Sequence, residues 1–123
     1  MSGRLTTHVL NTASGEPAAG MGVELWYLGA DGSGAGASPE LVTATTTNAE
    51  GRTDAPLIEG EGFRSGSYRL RFNVGDFFRR SGHPDARRFL DVVPVEFLIV
   101  DPASHYHVPL LVTPWSYTTY RGR

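Results

Sequence analysis

Short runs of alternating apolar and polar residues, each broken within a few positions by Gly, Pro, Asn or Asp, recur along the whole chain and leave little room for anything but β-structure. Leu5 to Leu10, Val23 to Leu28, Leu41 to Thr47, Ser67 to Phe72, Pro94 to Val100, His105 to Val112 and Trp115 to Tyr120 read as strands. The last two are separated by Thr113-Pro114, a turn no strand crosses, so they pair as a hairpin. Gly29 to Pro39, almost all Gly, Ala and Ser, reads as a flexible loop. One segment has helical spacing instead. Asn73 is placed to cap it, Asp76 lies in its first turn, Val74, Phe77 and Phe78 share a face, Arg79 and Arg80 lie in its last turn and Gly82 ends it. The expected class is all-β: a β-sandwich of about eight strands with one short helix.

No repeat or second composition interrupts this pattern, so residues 1–123 are expected to form a single domain, long enough to bury about two thirds of the unfolded surface. The chain has no cysteine, which removes disulfides and thiolate metal sites. A net charge of −2 gives no electrostatic case for nucleic acid or an anionic membrane. No apolar run approaches the ~20 residues of a membrane span, and Met1-Ser2-Gly3-Arg4 lacks the apolar stretch of a secretory signal. A cytoplasmic protein is the expectation.

Against this background three residues stand out. Side chains alternate along a strand, so His107, Pro109 and Leu111 share one face while Tyr106, Val108 and Leu110 share the other. In the first strand Leu5, Thr7 and Val9 oppose Thr6, His8 and Leu10. A histidine therefore sits mid-strand at each end of the chain, on a face that also carries a proline unable to donate to a ladder. Arg52 follows the turn Asn48-Ala49-Glu50-Gly51. A single strand histidine is more often a structural, hydrogen-bonded residue than a proton-transfer group. His105 reads as a surface residue at the start of its strand, and His83 as a solvated loop residue. His105, His107 and His8 could in principle form a metal triad, but no carboxylate or thiolate accompanies them.

Leu5-Thr6-Thr7-His8-Val9-Leu10-Asn11-Thr12 with Gly15-Glu16-Pro17-Ala18, then Thr47-Asn48-Ala49-Glu50-Gly51-Arg52, then the block from His105 to Gly122 ending in Tyr120-Arg121-Gly122, occur in that order over nearly the whole chain. Together they resemble the three signature blocks of the 5-hydroxyisourate hydrolases, the transthyretin-related enzymes of purine catabolism. Transthyretin, the carrier with the same fold, lacks the histidines and the terminal Tyr-Arg-Gly. The resemblance implies a transthyretin-like sandwich and hydrolysis of 5-hydroxyisourate without metal or other cofactor. It implies His8, Arg52 and His107 as catalytic residues and Tyr120, Arg121 and Gly122 as substrate-binding ones. It also implies a homotetramer whose sites lie at the dimer–dimer interface, where Thr6, His8, His107, Pro109, Thr118 and Tyr120 would face a wet channel.

Hydrolysis of a ring amide needs a deprotonated water, a cradle for the oxyanion and an acid for the leaving nitrogen. Two histidines and an arginine supply these groups. A carrier that binds a small aromatic ligand without turnover is the alternative, and a β-sandwich interaction module is a third reading. The chain departs from the family pattern at Arg123, where serine is usual, and more mildly at Asn11 and Glu50, where aspartate is usual.

Overall fold

The computed structural model describes residues 3–30 and 38–122, so most of the expected Gly29 to Pro39 loop, and Arg123, lie outside the described residues. The strands are β1 (Arg4–Asn11), β2 (Glu16–Pro17), β3 (Gly22–Gly29), β4 (Glu40–Thr46), β5 (Ile58–Glu59), β6 (Gly66–Asn73), β7 (Val92–Ile99), β8 (His105–Val112) and β9 (Tyr117–Thr119), with one helix, α1 (Val74–Arg80), after β6. They form two sheets, one in the order β2-β1-β8-β9 with β5 also on β1, the other in the order β4-β3-β6-β7. The architecture is a two-sheet β-sandwich with one short α-helix, as expected. Among the described residues no helix is long and apolar enough to cross a membrane.

The alternation in the sequence sorts the two faces of each sheet. Leu5, Val9 and Leu110 from the first sheet and Leu25, Leu70 and Phe72 from the second have no exposed surface and meet between the layers. Burial of each such side chain is worth about 1.5 to 3 kcal/mol. Thr7 points into this core, and its hydroxyl donates to the Val108 carbonyl at 2.7 Å, so the inward polar group is satisfied. The helix starts after Asn73 as expected, but the Asn73 side chain makes no capping hydrogen bond. It lies instead against Gly22, where a Cβ would come within 2.7 Å of Asn73 Nδ2.

Two expectations need correction. The last strand is shorter than Trp115 to Tyr120: Trp115 and Ser116 belong to the turn, closed by Thr113 N–H to Ser116 O at 2.9 Å, and Tyr120 follows the strand's end. His83 is not a freely solvated loop residue. It is half-buried, its ring meets Phe78 edge-on at 5.6 Å, and its Nδ1 accepts from the Asp85 N–H at 3.1 Å.

β1 and β8 pair in parallel along their whole length, with Thr6 opposite His107 and His8 opposite Pro109. This joins the two ends of the chain. The other edge of β1 is covered piecewise, by β5 at Arg4 and Leu5 and by β2 at Leu10 and Asn11. Between them the Asn48 to Arg52 turn docks, with Val9 N–H donating to Gly51 O at 2.8 Å and Arg52 bridging to His8. Gly51 has φ +77°, and a Cβ there would collide with the Val9 carbonyl oxygen and approach Pro17 Cβ to 3.2 Å. Only glycine suits this turn.

Candidate active site

Outward-facing side chains of β1 and β8 and the residues after the docked turn enclose a hollow of about 360 Å³, lined by Arg4, Thr6, Arg52, Asp54, His105 and His107 among others. Arg52 reaches it because Asn48 closes the preceding turn from both backbone and side chain: Gly51 N–H donates to Asn48 O at 2.9 Å, and the Glu50 and Arg52 amides donate to Asn48 Oδ1 at 2.9 and 3.2 Å. The same turn fixes His8, whose Nε2 lies 2.9 Å from the Glu50 carbonyl oxygen. A carbonyl only accepts, so Nε2 carries the hydrogen and the neutral ring keeps its lone pair on Nδ1.

His107 is half-buried beside these cations. Burial, then the Arg52 guanidinium, then His105 and His8, hold its imidazole below the ordinary value. The shift favours the neutral form of the ring. Its Nδ1 lies 2.8 Å from Thr6 Oγ1, and the same oxygen lies 3.0 Å from His105 Nε2. His105 is thus exposed but tied into the site, a link that sequence reasoning missed. The signals for it were the two-residue spacing of His105 and His107, which puts both rings on one face, and Thr6 standing on the same face as His8. Among the described residues no three His, Asp or Glu side chains converge as a metal shell requires.

The terminal segment divides. Gly122 N–H donates to His107 O at 2.7 Å, and a Cβ on Gly122 would come within 2.7 Å of His107 Cδ2, so the backbone lies against the imidazole. Arg121 turns to the other side of β8, where its guanidinium carbon sits 4.0 Å from the centre of the Tyr106 ring. Tyr120 is 57% exposed and lines a separate, largely apolar hollow of about 360 Å³ with Val95, Phe97 and Val100. The structure therefore brings Arg52 and His107 to one hollow, with His8 held on the adjoining turn beside Arg52 and Gly122 packed against the His107 ring, although neither of these two lines the hollow itself. Within one chain it does not bring Tyr120 and Arg121 to them.

A sequence profile of the HIUase/Transthyretin family matches residues 5–122. The chain belongs to this family. It is 50% identical over 123 residues to 5-hydroxyisourate hydrolase 2 of Rhizobium meliloti (strain 1021), covering 98% of this chain and 97% of that relative. Among solved structures, the Klebsiella pneumoniae 5-hydroxyisourate hydrolase superposes with a TM-score of 0.77 at 31% identity, covering 98% of this chain and 99% of that one. An (S)-allantoin synthase superposes with a TM-score of 0.88 at 40% identity over 99% of this chain, which spans 44% of that longer chain's length. Membership of the family accounts for the two sheets, and the histidines distinguish the site from a purely apolar ligand channel.

Proposed function

We propose that the chain hydrolyses 5-hydroxyisourate to 2-oxo-4-hydroxy-4-carboxy-5-ureidoimidazoline, with His8, Arg52 and His107 as the catalytic group. The observation that carries this reading is a half-buried His107, its neutral form favoured, sharing one hollow with Arg52, in a chain half identical to curated 5-hydroxyisourate hydrolases. His8 and His107 share the base and acid duties. One takes a proton from water as the new C–O bond forms, and a proton reaches the ring nitrogen as the C–N bond breaks. Arg52, always charged and forked, holds the carbonyl oxygen as negative charge develops. The reaction needs only water as co-reactant, and no cofactor is invoked.

Gly122 supports the imidazole from behind. Tyr120 and Arg121 bind substrate in this reading by closing the site of a neighbouring subunit in a homotetramer, whose sites lie between dimers. An exposed tyrosine ring just past a short strand is suited to that role. Decay of the ultraviolet absorbance of freshly generated 5-hydroxyisourate tests the proposal. Catalytic amounts of protein should accelerate it. Stoichiometric binding of the substrate without acceleration would establish a carrier instead.

A further inference from the structure

Thr6 stands between two imidazoles, directly opposite His107 in the β1 and β8 register. Its Oγ1 is 2.8 Å from His107 Nδ1 and 3.0 Å from His105 Nε2. A hydroxyl has one proton and two lone pairs, so it can accept from one ring and donate to the other. His107 is half-buried and His105 is exposed, so the three groups make a line from the hollow to its rim. The β-branched threonine has few χ1 rotamers, which fixes the oxygen between the rings. Among the described residues His107 Nε2 has no hydrogen-bond partner, which leaves it available to the hollow.

We propose that Thr6 is a positioning residue for His107, holding that ring with its hydrogen on Nδ1 and its lone pair on Nε2, and that Thr6 and His105 together store the proton His107 takes up during the reaction. This rests on His107 acting as the base. At rest His107 Nδ1–H donates to Thr6 Oγ1, and Thr6 Oγ1–H donates to His105 Nε2. When His107 Nε2 takes a proton from the attacking water, the Nδ1 proton passes to Thr6 Oγ1 and the threonine's own proton passes to His105 Nε2. His107 is again neutral and His105 is imidazolium. When that proton leaves His107 Nε2 for the leaving ring nitrogen, directly or by way of His8, the same two transfers run backwards. The net result moves one proton from water to that nitrogen, with no change of oxidation state.

The difference in exposure between the two rings favours such storage. His107 faces Arg4 and His8 from β1, Arg52 and Asp54 from the segment after the turn, and His105 on its own strand, while the Arg121 side chain donates to the His105 carbonyl at 3.3 Å. Cations outnumber the one carboxylate, and burial adds to the cost of an imidazolium at His107. His105 is exposed, so a proton placed there is hydrated, which burial denies to His107.

The test compares kcat and KM across neutral pH for the wild type, Thr6→Val, Thr6→Ser, His105→Gln and His107→Asn, with nitrogen NMR of the His107 ring as a readout independent of turnover. Thr6→Val keeps the β-branched shape and should lower kcat about tenfold to a hundredfold, the scale of a misaligned catalytic group, with KM little changed. Its His107 ring should lose the preference for hydrogen on Nδ1. Thr6→Ser should restore most of both. His105→Gln should lower kcat and be partly rescued by added imidazole. Thr6→Val with wild-type kcat and tautomer, beside an inactive His107→Asn, overturns the storage line and leaves His107 as the base. A fully active His107→Asn overturns the assignment beneath it.

Discussion

His107 owes its chemistry to its neighbours. The residue is an ordinary imidazole moved below its usual value by burial and by Arg52, His105 and His8. Loss of either histidine, as His8→Ala or His107→Ala, should lower turnover by about two to four orders of magnitude, the usual contribution of a general acid or base. Near-normal decay of substrate absorbance in either variant would remove that residue from the mechanism. The depressed value also links activity and stability to pH. Because the folded ring binds its proton less readily than the unfolded one, the unfolded chain holds more protons as pH falls below the ordinary value of about 6.5, and folding stability drops through that window. Thermal midpoints measured from neutral to mildly acid pH should therefore fall more for the wild type than for His107→Gln. A parallel fall in both would mean the ring's environment costs nothing on folding. Arg52→Lys keeps the charge and loses the planar fork, so kcat should fall by about a hundredfold to a thousandfold, the effect of one missing oxyanion donor. Kinetics close to wild type would make Arg52 a diffuse charge only.

At the scale of elements, most strands were legible because a sheet with one buried face forces a period of two, and Tyr106, Val108 and Leu110 against His107 and Leu111 show it, although Pro109, expected on the His107 face, is buried as well. The two-residue strands β2 and β5 were not legible, since two residues carry no period. Nor was the docking of the Asn48 to Arg52 turn on β1, which depends on partners some forty residues away. The place of Tyr120 within the chain was not legible for a related reason. Extrapolating the alternation past Thr119 puts it on the His107 face, but the strand ends there and Tyr120 lines the hollow with Val95, Phe97 and Val100. Two glycines report on these placements. Gly51→Ala forces a side chain into a left-handed turn against the Val9 carbonyl, and should cost about 1 to 3 kcal/mol of stability and displace Arg52. Gly122→Ala pushes on the His107 ring from the end of the chain, where little else depends on it. Its melting temperature should stay near wild type while kcat falls. Full activity in the Gly122→Ala variant would show that the terminal segment does not support the imidazole.

Across the whole molecule, His8, Arg52 and His107 all come from one chain, two of them on paired strands of one sheet. Assembly as a tetramer would bring a second chain's terminus to each site but would not divide these three between chains. Mixing inactive His8→Ala and His107→Ala subunits, unfolding and refolding them together, should consequently give no recovery of turnover. Recovered activity would mean that the catalytic groups are shared across an interface. The parallel pairing of β1 with β8 also bears on how the site comes into being. Thr6 and His107 are 101 positions apart, and their strands can meet only after a loop containing nearly the entire chain has closed. Antiparallel neighbours such as β3 with β4, or β8 with β9, have far less chain to bring together. A polypeptide still emerging from the ribosome can thus acquire most of its second sheet while having no catalytic centre at all, and during refolding the return of turnover should lag behind the return of β-sheet signal.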